Sequence, residues 1–174
     1  MAKEENSVVY VTIVGQQNEP IVTRCFGDVD EAELQLSAYA TMNVIEEKMV
    51  IQRFSNTTGD PSEPYLGFIT PTLIGEEFYK VHAYAAATGF KIIAIINEID
   101  ASITAIKKVT KSYGHIIYMQ LFEGIHILFA NAICNPLMTM KFKSPKFDAE
   151  LCEFHTTSLK KVAAKMVTEF SKSS

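Results

Sequence analysis

The sequence has no tryptophan, and its three cysteines, Cys25, Cys134 and Cys152, are odd in number and far apart. A secreted disulfide framework is normally even and denser, so a reducing cytosol is the expectation. No C-x-x-C or H-E-x-x-H occurs, which removes the usual zinc patterns. The eight glycines form neither G-x-G-x-x-G nor G-x-x-x-x-G-K, so the signatures of a dinucleotide site and of a P-loop are missing. Basic residues do not dominate: 16 Lys and Arg face 20 Asp and Glu, a net charge of −4. A general nucleic-acid binder shows a clustered basic surface instead. The opening MAKEENSVVY has no signal-peptide layout. Ala2 is not the glycine of a myristoylation signal, and the final KSS is not a prenylation box.

What is present is apolar. Of the 174 residues, 48% are hydrophobic. That is enough for one domain with a sizeable core and no staple. Ile116 to Cys134 is nearly long enough to span a bilayer. It contains Gln120, Glu123, His126 and Asn131, and a charge at mid-bilayer costs roughly 2.5–3.5 kcal/mol. A helix buried on most sides is the expectation. The segment ends at Cys134-Asn135-Pro136, because proline lacks the N–H of a helix bond and disfavours helical geometry at Asn135. Cys134 is expected as a small packed side chain in the last turn.

Val8–Gly15 and Ile21–Phe26 read as a hairpin, with Asn18 and Pro20 in its turn. Leu34, Ala38, Met42, Ile45 and Met49 fall on one helical stripe, with Asp30 as N-cap and Glu31 and Glu33 in the first turn. Residues 52–64 form a polar loop containing the sequon Asn56-Thr57-Thr58. Tyr65–Ile69 is a short strand, and Pro71 to Glu77 turns the chain. Phe78–Ala87 and Phe90–Ile99 make two more strands around a Thr88-Gly89 turn. Ile99–Gly114 reads equally as a helix start or as a loop carrying Lys107, Lys108 and Lys111. The long apolar helix covers roughly Ile116 to Asn131, and a last element starting near Ser144-Pro145, with apolar residues from Phe147 to Phe170, reads as one amphipathic helix, continuous or interrupted at Thr156-Thr157-Ser158. The order β-β-α-β-β-β-α-α predicts an α+β fold, a five-stranded antiparallel sheet with helices on its faces.

Catalytic patterns are weak. His126 precedes Cys134 by eight residues, about 12 Å along a helix axis, too far for a hydrogen-bonded pair. Cys152 and His155 could face one ion, but zinc needs at least three protein ligands. Glu46-Glu47 and Glu76-Glu77 are adjacent, so their side chains diverge. No cofactor is expected. The apolar surface of the 116–134 helix exceeds what one sheet face needs, and such excess usually marks an interaction surface.

Four blocks resemble the sedlin family of the TRAPP vesicle-tethering complex, within the longin-like (profilin-like) folds. They are VTIVGQQNEPI (Val11–Ile21), ATMNVIEEKM (Ala40–Met49), YLGFITPT with YKVHAYAAATGFKIIAII, and ICNPLM with SPKFDAEL. The Tyr-Leu-Gly start, the Pro-Thr and the Cys-Asn-Pro look closest to the TRAPP subunit 2-like branch. The resemblance spans about residues 8–155, leaving 156–174 as a helical extension of a single domain. It implies a non-catalytic adaptor subunit, with other TRAPP subunits as partners and a Rab-type GTPase as an indirect one. The chain would be cytoplasmic, with peripheral association at Golgi and ER–Golgi membranes only through the complex. Asn43 stands where the family usually has Asp, a position linked to subunit contacts. The contact candidates are Asn43, Glu46 and Glu47 on the first helix, Ile125 and Phe129 on the long helix, and Asn135 and Pro136 at its end.

Two other readings make different demands. A longin-type SNARE should continue into heptads and a membrane anchor, and about twenty residues follow His155. A small adaptor-coat subunit shares the longin fold. A thiol-dependent hydrolase requires a reactive Cys134.

Overall fold

The computed structural model describes residues 7–55, 63–97, 104–137 and 148–151. The chain divides into two compact units, one spanning Val8–Glu98 and the other carrying the long helix. In the first unit β1 (Ser7–Val14) and β2 (Pro20–Cys25) form the expected hairpin. The turn works because Asn18 takes a left-handed backbone, φ 63°, which Asn tolerates better than most residues. The Gly15 and Asn18 amides close the loop, onto the carbonyls of Glu19 and Gly15.

The apolar stripe Leu34, Ala38, Met42, Ile45 is buried as predicted, with Met49 half-buried. The helix carrying it is not continuous. It breaks at Thr41 into α1 (Glu31–Ala40) and α2 (Met42–Ser55). The buried Thr41 hydroxyl donates to the Ala38 carbonyl at 2.7 Å, the back-bonding that bends helices at Ser and Thr. Asp30 is the N-cap, accepting from the Ala32 and Glu33 amides at 2.8 and 3.4 Å.

The third strand is longer than predicted. β3 runs Tyr65–Ile74 and continues through Pro71 before turning at Gly75. Pro71 is tolerated because β3 lies at the edge of the sheet, where a missing N–H breaks no interior ladder. β4 (Glu77–Ala85) and β5 (Lys91–Asn97) complete the meander, joined by the turn at Gly89, φ 90°. The five-stranded antiparallel sheet has the order β2-β1-β5-β4-β3, the longin-like arrangement.

One sheet face packs on α1 and α2. Tyr10, Val14, Tyr79, Val81, Ala83, Ile93 and Ile95 meet Leu34, Ala38, Met42 and Ile45. Alternate residues point the other way, and among these Ile92, Ala94, Ile96, His82 and Tyr84 are buried as well. The continuous apolar runs of β1 and β5 follow from burial on both faces.

The second unit contains α3 (Thr104–Cys134). It begins well before the Ile116 expected, so the ambiguous segment is helical from Thr104. Asp148–Leu151 are helical too, and the rest of the predicted last helix lies outside the described residues. No helix among the described residues is long and apolar enough to cross a membrane.

Candidate partner-binding surface

The first helix pair is fastened to β3 and to the hairpin turns by side chains. Thr72 Oγ1 donates to Ser37 Oγ at 2.9 Å, Lys48 Nζ to the Phe68 carbonyl at 2.6 Å, and Gln52 Nε2 to the Glu63 carbonyl at 2.8 Å. At the other end of the sheet, Glu46 Oε1 accepts from Asn18 Nδ2 at 2.8 Å and from Lys91 Nζ at 3.3 Å. Lys91 Nζ also donates to Asn18 Oδ1 at 2.6 Å. The Asn18 amide, and then the Lys91 ammonium, hold the Glu46 carboxyl below its ordinary range. Glu46 is therefore a clasp joining α2 to the β1–β2 turn and β5.

Outside this framework lies an apolar surface. A groove of about 420 Å³ opens between α1, α2 and β3, lined among others by Leu36, Ala40, Val44, Pro71 and Thr72. Val44, Ile51 and Phe54 continue from it at i, i+7 and i+10, one outward stripe on α2. Leu36 is 71% exposed, Ile51 56% and Phe54 81%. α2 thus carries two apolar stripes, Met42, Ile45 and Met49 inward, and Val44, Ile51 and Phe54 outward. Asn43 and Glu47 are exposed beside the outward stripe. This is the kind of contiguous apolar patch that marks an interaction site.

The second unit holds the other contact candidates. Ile125 and Phe129 are 1% and 2% exposed. Their place on the inner stripe of α3 makes them core side chains, and they are unavailable to a partner. Ile127, 61% exposed, is on the open side of the same helix. Asn135 and Pro136 are exposed where α3 ends, and Asn135 Oδ1 accepts from the Leu137 amide at 3.0 Å. Cys134 is exposed rather than packed, because the last helical turn presents it on the outer side of α3.

No cluster of three or more His, Cys, Asp or Glu able to hold a metal occurs among the described residues. The buried His82 is engaged structurally: its Nδ1 lies 2.8 Å from the Tyr65 hydroxyl, and the two rings stack.

The family model described as Sedlin matches residues 13–157 of the 174, from within β1 to beyond the last described helical turn. The chain belongs to the sedlin family. Sedlin-family proteins are subunits of the TRAPP vesicle-trafficking complex, which assigns this chain to that class. A search of curated proteins gives no match.

The sedlin-type motif segment around Asn43 thus borders the groove. Leu36 on α1 and Val44, Ile51 and Phe54 on α2 are not among the predicted contacts, because the inward stripe of the helix pair accounts for its periodicity by itself. The signal was available as a second set of apolar residues at helical spacing.

Proposed function

We propose that this sedlin-family chain is a non-catalytic assembly subunit of a TRAPP-type vesicle-tethering complex. In this reading it belongs to the subunit 2-like branch and works in the cytoplasm at ER–Golgi and Golgi membranes. The complex promotes nucleotide exchange on a Rab-type GTPase, and other subunits perform the exchange chemistry. This chain supplies contact surface.

The observation that carries the proposal is the outward stripe Val44, Ile51 and Phe54 continuing the groove beside α1 and β3. These side chains contribute nothing to the core, which uses the opposite face of α2. Exposed large apolar side chains gain their stabilisation only when a partner covers them. Asn43 and Glu47 edge this surface as polar contacts, and Asn135 and Pro136 offer a smaller one at the end of α3.

Co-expression with the other TRAPP subunits tests the assignment. Val44→Asp and Ile51→Asp should leave the circular dichroism spectrum unchanged and weaken retention in the complex roughly tenfold or more, as loss of an interface anchor does. A wild-type chain that elutes alone while the remaining subunits assemble would overturn it.

A further inference from the structure

The groove between α1, α2 and β3 has a chemistry that selects its occupant. Its walls are apolar or small, and the Ser37 and Thr72 hydroxyls inside it bond to each other at 2.9 Å. Its rim is acidic. Glu33 lies three residues before Leu36, and Glu47 three residues after Val44. Both are exposed and carry no ion pair among the described residues. Of the neighbouring ammonium groups, Lys91 is neutralised by Glu46, while Lys48 keeps its charge and is outnumbered by the two carboxylates. Lys48 holds the Phe68 carbonyl, and Lys91 holds Asn18 and Glu46. α1 has no basic residue at all.

Other occupants conflict with these features. A β-strand added alongside β3 would meet Pro71, which has no N–H to offer, and the Phe68 carbonyl that Lys48 already fills. A second copy of this surface would bring Glu33 and Glu47 against their own counterparts, a like-charge pairing that costs association. An anionic lipid surface would face the same carboxylates. The remaining fit is a partner segment with an apolar face and cationic flanks. The stripe from Val44 to Phe54 covers ten residue steps, about 15 Å of helix at 1.5 Å per residue. That length matches two to three turns of a helix laid along it.

We infer that this groove receives a basic amphipathic helix from a neighbouring subunit. The inference rests on the adaptor reading above and names the partner chemistry of the same surface.

The test uses the full chain within the assembled complex. A photo-crosslinking benzoylphenylalanine replaces Leu36 or, separately, Val44, and the crosslinked peptides are identified by mass spectrometry. A third position, Ile127 on α3, serves as comparison. The expected products join Leu36 and Val44 to one helical segment of another subunit with Lys or Arg three or four residues from its apolar anchors. The double variant E33K/E47K, with its fold checked by circular dichroism, should lose roughly tenfold or more in affinity. Added salt should weaken the wild-type complex and not the variant. Crosslinks to a β-strand, an acidic segment, lipid or a second copy of this chain would overturn the inference. So would crosslinking through Ile127 alone, or undiminished binding by E33K/E47K, and in these cases the adaptor reading survives. If the wild-type chain joins no complex, both fall together.

Discussion

Lys91 Nζ lies 3.3 Å from Glu46 Oε1, and the lysine is buried while the glutamate is half open to solvent. The two residues are 45 positions apart, and Asn18 closes a triangle with them. This relationship changes the meaning of the Glu46-Glu47 pair. Glu46 is spent on holding α2 to the sheet, whereas Glu47 is free to meet a partner.

The two glutamates should therefore separate in stability measurements. Glu46→Gln leaves the buried Lys91 ammonium facing a neutral amide oxygen in place of its carboxylate. An impaired charge-assisted contact of this kind costs about 1–2 kcal/mol. Glu47→Gln should stay within about 0.5 kcal/mol of wild type, as exposed substitutions do. Urea unfolding at neutral pH measures both. Equal effects from the two substitutions would contradict the clasp.

The clasp also has a pH signature. The fold holds the Glu46 carboxyl below its ordinary range, chiefly through Asn18 and then Lys91. A depressed carboxyl stabilises the fold above its unfolded pKa, about 4.3, and loses that contribution as pH falls through the folded value. The stability difference between wild type and Glu46→Gln should be full at about pH 7 and should close progressively below about pH 4. Paired urea titrations along this series check it, and a gap that stays constant on acidification would refute it.

The same contrast explains what the sequence disclosed. Leu34, Ala38, Met42 and Ile45 are local periodicity, and periodicity reports which face is buried, so the core of the helix pair was legible. Asp30 as N-cap was legible for the same reason, since the cap bonds reach only two and three residues ahead. The break at Thr41 was not, because Thr is an ordinary helix residue until its hydroxyl turns back onto Ala38. Pro71 read as a turn because its acceptability depends on β3 being an edge strand, which is settled by sheet order. The Asn18–Glu46–Lys91 triangle joins three separate elements, and no local pattern announces it. At the candidate surface, Asn43 and Glu47 came from family resemblance. Val44, Ile51 and Phe54 become informative only once the inward stripe is assigned to the core.

Burial divides α3 just as clearly. Ile125→Asp places a carboxylate at a site 1% exposed, an unpaired buried charge of the kind that costs more than about 4 kcal/mol. Ile127→Asp, at a site 61% exposed, should leave the melting temperature nearly unchanged. Thermal unfolding followed by circular dichroism distinguishes the two. A folded Ile125→Asp protein would remove Ile125 from the core.

The thiols provide a further check. Cys134 is exposed at the end of α3, whereas Cys25 is half-buried and its Sγ donates to the Val29 carbonyl at 3.8 Å. Burial, and then the nearby Glu31 carboxylate, push the Cys25 thiol up, which lowers its thiolate fraction at neutral pH. Access and thiolate content both set reactivity, and both hold Cys25 back. In a Cys152→Ser background, reaction of the native chain with a chromogenic disulfide should show a fast phase that Cys134→Ser abolishes and Cys25→Ser leaves intact. The Cys25 thiol should react roughly tenfold slower or more, rising to the Cys134 rate in urea. Exposure makes Cys134 accessible to reagent without making it a nucleophilic catalyst, since a catalytic thiol also needs an activating base. Alkylation of Cys134 should therefore leave the fold intact by circular dichroism. Loss of assembly on Cys134 alkylation, with the fold retained, is the result expected of the contact proposed at Asn135 and Pro136, and full assembly by the alkylated chain would count against that contact.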